Sequence, residues 1–150
     1  MQMRLNYRTA NPEVLQAMLS LQKCDSASSV DSVLHELLKI RVSQINGCAF
    51  CLDMHAKDLL KLGDYQEHIL LLSVWREAPV FTEKERAALA LAEAVTKISE
   101  NGVPEAVYKQ AREYFDEKEF MDIILAINTI NCWNRIAIST GMFPGCYARS

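Results

Sequence analysis

Apolar residues recur at intervals of three and four along most of this chain, the spacing that lines one face of a helix. The clearest run is Val33, Leu34, Leu37, Leu38, Ile40, Val42 and Ile45, in a helix beginning at Val30 or Asp31 and stopped by Asn46-Gly47. Ahead of it, Asn11-Pro12-Glu13 sets a capping residue before a proline at the first helical position, which predicts a helix to about Lys23. The small and polar stretch Cys24–Ser29 reads as a loop. A helix from near Cys48 to Leu62 follows, with Gly63 closing it. Asp64 can cap another to about Trp75, before Pro79 breaks the chain. Thr82 and Glu85 have capping-box spacing and open an Ala/Leu-rich helix to about Ser99. Pro104 starts a shorter one to Tyr114 or Phe115, and Asp116 with Glu119 caps the longest, which ends near Gly141. Ile123–Ile130 comes nearest to a strand but lies inside an unbroken helical period. The expected fold is all-α, a single-domain bundle of about seven helices.

Composition narrows the class. At 150 residues, half of them hydrophobic and 23% charged, the chain can bury one sizeable core over residues 1–150 without staples. Five glycines and four prolines leave no room for a disordered or fibrous reading. The net charge of −3 is spread through interleaved acids and bases, so no nucleic acid partner is expected. The N-terminal MQMRLNYRTANPEV has no apolar signal-peptide run, and the longest apolar runs are too short for a membrane span. A cytoplasmic home is therefore expected, where a close cysteine pair is more often reactive or metal-binding than a structural staple. Five cysteines is also an odd number.

The chemistry concentrates in NGCAFCLDMHAKDLLKLG, from Asn46 to Gly63. On a helix, Cys48, Cys51, His55, Leu59 and Leu62 share one face, reactive at its start and expected to be core at its end. In the first turn, free N–H groups and the helix dipole favour a thiolate, and thiol pKa values there fall from about 8.5 towards roughly 3.5–7.5. His55, one turn beyond Cys51, can take the thiol proton. The short hinge at Asn46-Gly47 favours an antiparallel helix pair. Glu36 and His55 then stand roughly 15 Å and 12 Å from that hinge, within reach of each other, with His35 and Lys39 on neighbouring faces as alternatives. On residues alone, three readings stay open: a redox thiol pair, three zinc ligands (Cys48, Cys51 and His55) lacking a nearby fourth, and two buried small hydrophobes. Haem attachment is excluded because Leu52 follows Cys51, and a thioredoxin-type site needs strands.

Glu36, Cys48-Ala-Phe-Cys51 and His55 together resemble the Glu-x11-Cys-x2-Cys-x3-His core of the alkylhydroperoxidase-D-like family, within the carboxymuconolactone decarboxylase superfamily. LLKIRVSQINGCAFCLDMHAKD is similar to that family's core helix pair, and LSVWREAPVFTEKERAALALAEAVT and LAINTINCWNRIAIS to segments of its short members; the likeness covers about residues 30–140. It implies a thiol-dependent peroxidase with antioxidant function. Cys51 would attack a hydroperoxide to give a sulfenic acid, Cys48 would resolve it as a disulfide, and Glu36 with His55 would relay the proton. It also implies a hydroperoxide substrate, a dithiol reductant (a protein or a small molecule), no metal or other cofactor, and a homo-oligomer, a trimer or hexamer. The family's prototype carries a histidine between its cysteines and has two helical halves; this chain has Phe50 and a single core. Two rivals remain: a cofactor-free lactone decarboxylase, which has no use for a thiol pair, and a non-catalytic redox sensor.

The other candidates read as packing. His35 and His68 are expected to be surface or structural, Cys24 and Cys146 exposed bystanders, and Cys132 buried. Trp75, Trp133, Tyr108 and Phe115 are expected in core or interface packing rather than a substrate pocket. Asn131 and Arg135, either side of Trp133, could meet a carboxylate across the fold.

Overall fold

Apolar side chains leave the helix Ser32–Asn46 on more than one side, and that sets the architecture. In the computed structural model, which describes residues 1–147, this helix is α3. It is preceded by α1 (Tyr7–Ala10) and α2 (Pro12–Ser26). It is followed by α4 (Ala49–Leu62), α5 (Gln66–Leu71), a 3-10 stretch at Leu72–Glu77, α6 (Glu83–Thr96), α7 (Ile98–Asn101), α8 (Glu105–Tyr114) and α9 (Glu117–Thr140). Among the described residues there are nine α-helices and no strand, so the all-α expectation holds. None of these helices is long and apolar enough to cross a membrane.

α3 packs against α4, α6 and α9. Leu34, Leu38 and Val42 join Cys48, Cys51, Leu91, Ile123 and Ile127 in one core. Leu37 and Ile40 face a second, with Leu59, Leu72, Trp75, Phe81 and Leu89. Burying apolar area on both sides of one helix is the main source of cohesion.

The starts of the helices follow the capping signals. The Asn11 side chain accepts from the N–H groups of Glu13 and Val14, and that of Asp31 from Val33 and Leu34. Thr82 with Glu85, and Asp116 with Glu119, bond reciprocally.

Four boundaries differ from expectation. α2 continues to Ser26, because Asp25 is held by His35 of α3 at 2.8 Å; Cys24 therefore lies in its last turn, exposed, and not in a loop. Asp64 caps nothing: α5 starts after Tyr65 without a side-chain cap, and the backbone leaves α geometry at Val74. The tighter winding brings Leu72 and Trp75, three residues apart, to the same side, and both are buried. The segment expected as one helix to Ser99 splits at Lys97 into α6 and α7. Near the N-terminus, α1 had no sequence signal; backbone bonds from Arg4 and Leu5 to Thr140 tie this segment to the end of α9. Leu62, expected in the core, is 47% exposed.

Candidate thiol site

The site begins with a turn. Gly47 has φ +73°, a left-handed conformation that side chains with a Cβ adopt at a cost, and it ends α3. Cys48 is then the N-cap of α4 rather than part of its first turn. Buried amides fix this hinge to α9: Asn46 donates to Asn131 and Asn134 at 2.9 Å each, and Asn134 donates to Ser43 at 3.1 Å. Asn131 also donates to Thr96 and accepts from Arg135 at 2.8 Å. The pair Asn131 and Arg135 thus meets amides and a hydroxyl here, not the carboxylate that the sequence suggested.

Cys48 and Cys51 are joined as a disulfide with Cα atoms 5.4 Å apart, inside the usual range for such bonds. Both are buried. The Cys51 N–H donates to Cys48 Sγ at 3.3 Å, so an unpaired helix N–H points at that sulfur. This arrangement favours negative charge on Cys48 whenever the disulfide opens.

The expected helix pair brings Glu36 and His55 together: His55 Nδ1 lies 2.8 Å from Glu36 Oε2. His55 is buried and Glu36 nearly so. Burial pushes the Glu36 carboxyl upward, but the His55 hydrogen bond, its charge, and those of Lys39 and His35 outweigh it and hold the group below its ordinary value. An ionised Glu36 that accepts from Nδ1–H leaves Nε2 of a neutral imidazole free to accept a proton. Of the alternatives on α3, Lys39 sits on the same carboxylate at 3.5 Å. His35 turns to Asp25, a structural role in line with expectation.

Cys51, His55 and Glu36 open onto one cavity of about 350 Å³. Its other walls include Tyr7, Arg8, Phe50, Met54, Trp133 and Met142. Cys48 is not among the lining residues. Cys51 is thus the sulfur on the cavity side and Cys48 the one behind it.

Trp133 was expected to pack; it is half-buried, meets Tyr7 edge-to-face at 5.8 Å, and forms cavity wall. Trp75 and Phe115 are core, whereas Tyr108 is 37% exposed. Cys132 and Cys146 are half-buried, the first less and the second more covered than their expected places. His68 packs between Tyr65 and Phe81. Tyr7, Arg8 and Asp25 gave no sequence signal as cavity residues, because they come from α1 and α2, far from the motif in the chain. For a cation, the donor atoms lying close together are those of Glu36, His55 and Asp58, within 4.8 Å of one another, not the two cysteines. Both of those carboxylates already carry a lysine, Asp58 holding Lys61 at 2.6 Å.

Residues 12–94 match the model of the carboxymuconolactone decarboxylase family. The uncharacterized protein YdfG of Bacillus subtilis (strain 168) is 43% identical over 141 residues, 94% of this chain and 96% of the relative. A solved structure from Agrobacterium tumefaciens, of a protein of unknown function linked by name to antioxidant defence and AhpD, shares 43% identity. It superposes with a TM-score of 0.93 over 95% of this chain and 98% of that one. An uncharacterized peroxidase-related protein from Silicibacter sp. TM1040 shares 29% identity, with a TM-score of 0.77 over 89% of this chain and 71% of that one.

Proposed function

Since the chain belongs to the carboxymuconolactone decarboxylase family, as an AhpD-like member, we propose that it is a thiol-dependent peroxidase working through a Cys48/Cys51 dithiol–disulfide cycle. The observation that carries this reading is the convergence of Cys51, His55 and Glu36 on one cavity, with Cys48 bonded to Cys51 from behind.

In the reduced protein His55 accepts the Cys51 proton, and Glu36 holds the resulting imidazolium. The Cys51 thiolate attacks the outer oxygen of a hydroperoxide: an S–O bond forms, the O–O bond breaks, and the alcohol leaves with the proton from His55. Cys48 then attacks the Cys51 sulfur, closing the disulfide and releasing water. An external dithiol attacks Cys51 from the cavity side and expels Cys48, whose charge the Cys51 N–H stabilises. The sum is one hydroperoxide and two thiols to one alcohol, one water and one disulfide. No metal or other cofactor takes part. The same reading includes a cytoplasmic location, where dithiol reductants are maintained, and a homo-oligomeric assembly.

Hydroperoxide consumption with a dithiol reductant tests it. Wild type turns over many equivalents, Cys51→Ser none, and Cys48→Ser stops after one equivalent with a sulfenic acid that a dimedone-type reagent captures. Equal consumption by all three proteins sinks the assignment. A single equivalent from wild type makes the protein a redox sensor, and lactone decarboxylation that survives loss of both thiols returns the decarboxylase.

A further inference from the structure

The charged groups around the cavity are unevenly committed. Its three carboxylates all have partners: Glu36 holds His55 and Lys39, Asp25 holds His35, and Asp58 holds Lys61. Of its two side-chain cations, Lys39 is drawn onto Glu36, whereas Arg8 meets no carboxylate among the described residues. The Arg8 guanidinium carbon lies 4.0 Å from the centre of the Tyr147 ring and 6.0 Å from that of Tyr7. A guanidinium over a ring spends its face on the contact and keeps N–H donors at its planar edge. Arg8 is itself exposed, so it stands on the solvent side of the cavity, with the Cys51 sulfur at the buried side.

Much of the remaining wall is apolar, with Phe50, Met54, Ile130, Trp133 and Met142, beside the polar Gln22, Ser26 and Thr129. A volume of about 350 Å³ holds roughly a dozen water-sized bodies at about 30 Å³ each, far more than hydrogen peroxide needs. A reactive sulfur, a largely apolar middle and one monocation that meets no carboxylate among the described residues together describe a ligand with three parts.

We propose that the cavity takes an organic hydroperoxide bearing a carboxylate: peroxide at Cys51, apolar body against Phe50 and Trp133, carboxylate on Arg8. The peroxide chemistry rests on the function proposed above; the anion site does not. Atoms balance as before, since the carboxylate only anchors. A planar fork of N–H donors suits a carboxylate, and such charge-assisted pairs add orientation as well as affinity.

Cumene hydroperoxide and its para-carboxylate, compared on wild type and Arg8→Gln, give the kinetic test. The wild type favours the carboxylate by about tenfold or more in kcat/KM, expressed in KM. Arg8→Gln brings that ratio close to one, and Arg8→Lys keeps part of it. The same ratio in wild type and Arg8→Gln overturns the proposal. Binding separates this from the peroxidase reading. 4-Isopropylbenzoate, titrated into the disulfide form while the fluorescence of Trp133 is followed, binds about tenfold more tightly to wild type than to Arg8→Gln. The neutral 4-isopropylbenzyl alcohol shows no such difference. If the wild type turns over neither hydroperoxide, the peroxidase reading fails alone and binding decides the anion site. Benzoate affinity that is absent, or equal in the two proteins, overturns it.

Discussion

Glu36 and Glu93 are two carboxylates with the same accessibility and opposite surroundings. Each side chain is 15% exposed, and each is held below its ordinary pKa although burial alone pushes it upward. Glu93, on α6, is clasped by Trp75 at 2.8 Å, Arg76 at 2.7 Å and Arg41 of α3 at 2.9 Å. None of those donors gives up its proton near neutral pH, and Glu93 does not line the cavity. Glu36 instead holds a histidine, the side chain whose ordinary pKa lies nearest to neutrality, and both line the cavity with Cys51. Burial and a lowered carboxylate therefore do not mark a reactive position. A partner that can exchange protons, with space for a reactant beside it, is what the proposed peroxidase requires.

Exchanging each carboxylate for its amide breaks the symmetry from both sides. Glu36→Gln retains an oxygen that can accept from His55 but loses the charge that stabilises imidazolium. The expected result is a fall of about a hundredfold in kcat/KM for hydroperoxide, the lower end for acid–base catalysis. Glu36→Gln should lose less stability than Glu93→Gln, since it leaves one imidazole and a lysine 3.5 Å away without their anion, where Glu93→Gln strands guanidinium groups at 2.9 Å and 2.7 Å. Glu93→Gln has the reverse profile. It leaves two guanidinium groups facing a neutral amide, at a cost of about 2 kcal/mol, discounted from the fully buried case for partial exposure. Denaturant midpoints at unchanged slope measure the second effect and steady-state rates the first. Comparable rate losses in the two variants would mean that the contrast is not one of chemistry.

The sequence carried one half of this contrast far better than the other. Glu36 and His55 could be paired on paper because a short turn at Gly47 joins their helices and fixes their relative heights. Local signals also announced most helix starts, since caps act within four residues of chain. Glu93 was invisible, because its partners come from α3 and from a 3-10 stretch that periodicity read as α-helix. The same physics hid Arg8 and Tyr7. Their short helix has no amphipathic pattern to detect and is held in place by backbone bonds to Thr140, more than a hundred residues away. Leu62 was misread for the opposite reason: it keeps the helical period of α4 but lies one turn past the part that the core covers.

The smallest expected effect, and the finest test of the comparison, is the response of stability to acid. Both glutamates titrate from an ordinary value of 4.5, and in the folded protein both lie lower. Between the two values the unfolded chain binds more protons than the folded one, so stability rises with pH there. The stabilisation is complete above about 4.5 and is lost as pH falls through the folded pKa. Glu93→Gln should therefore flatten the decline in denaturant midpoint as pH falls below about 4.5, and Glu36→Gln should flatten it as well. An undiminished decline in Glu93→Gln would mean that Arg41, Arg76 and Trp75 do not hold that carboxylate low. If both variants flatten it, the two groups respond alike to acid, and the rate of peroxide reduction and the size of the stability loss tell them apart. The proposed reactivity at Glu36 then derives from what its partner does with a proton, since a carboxyl held below its ordinary value is something Glu93 shares.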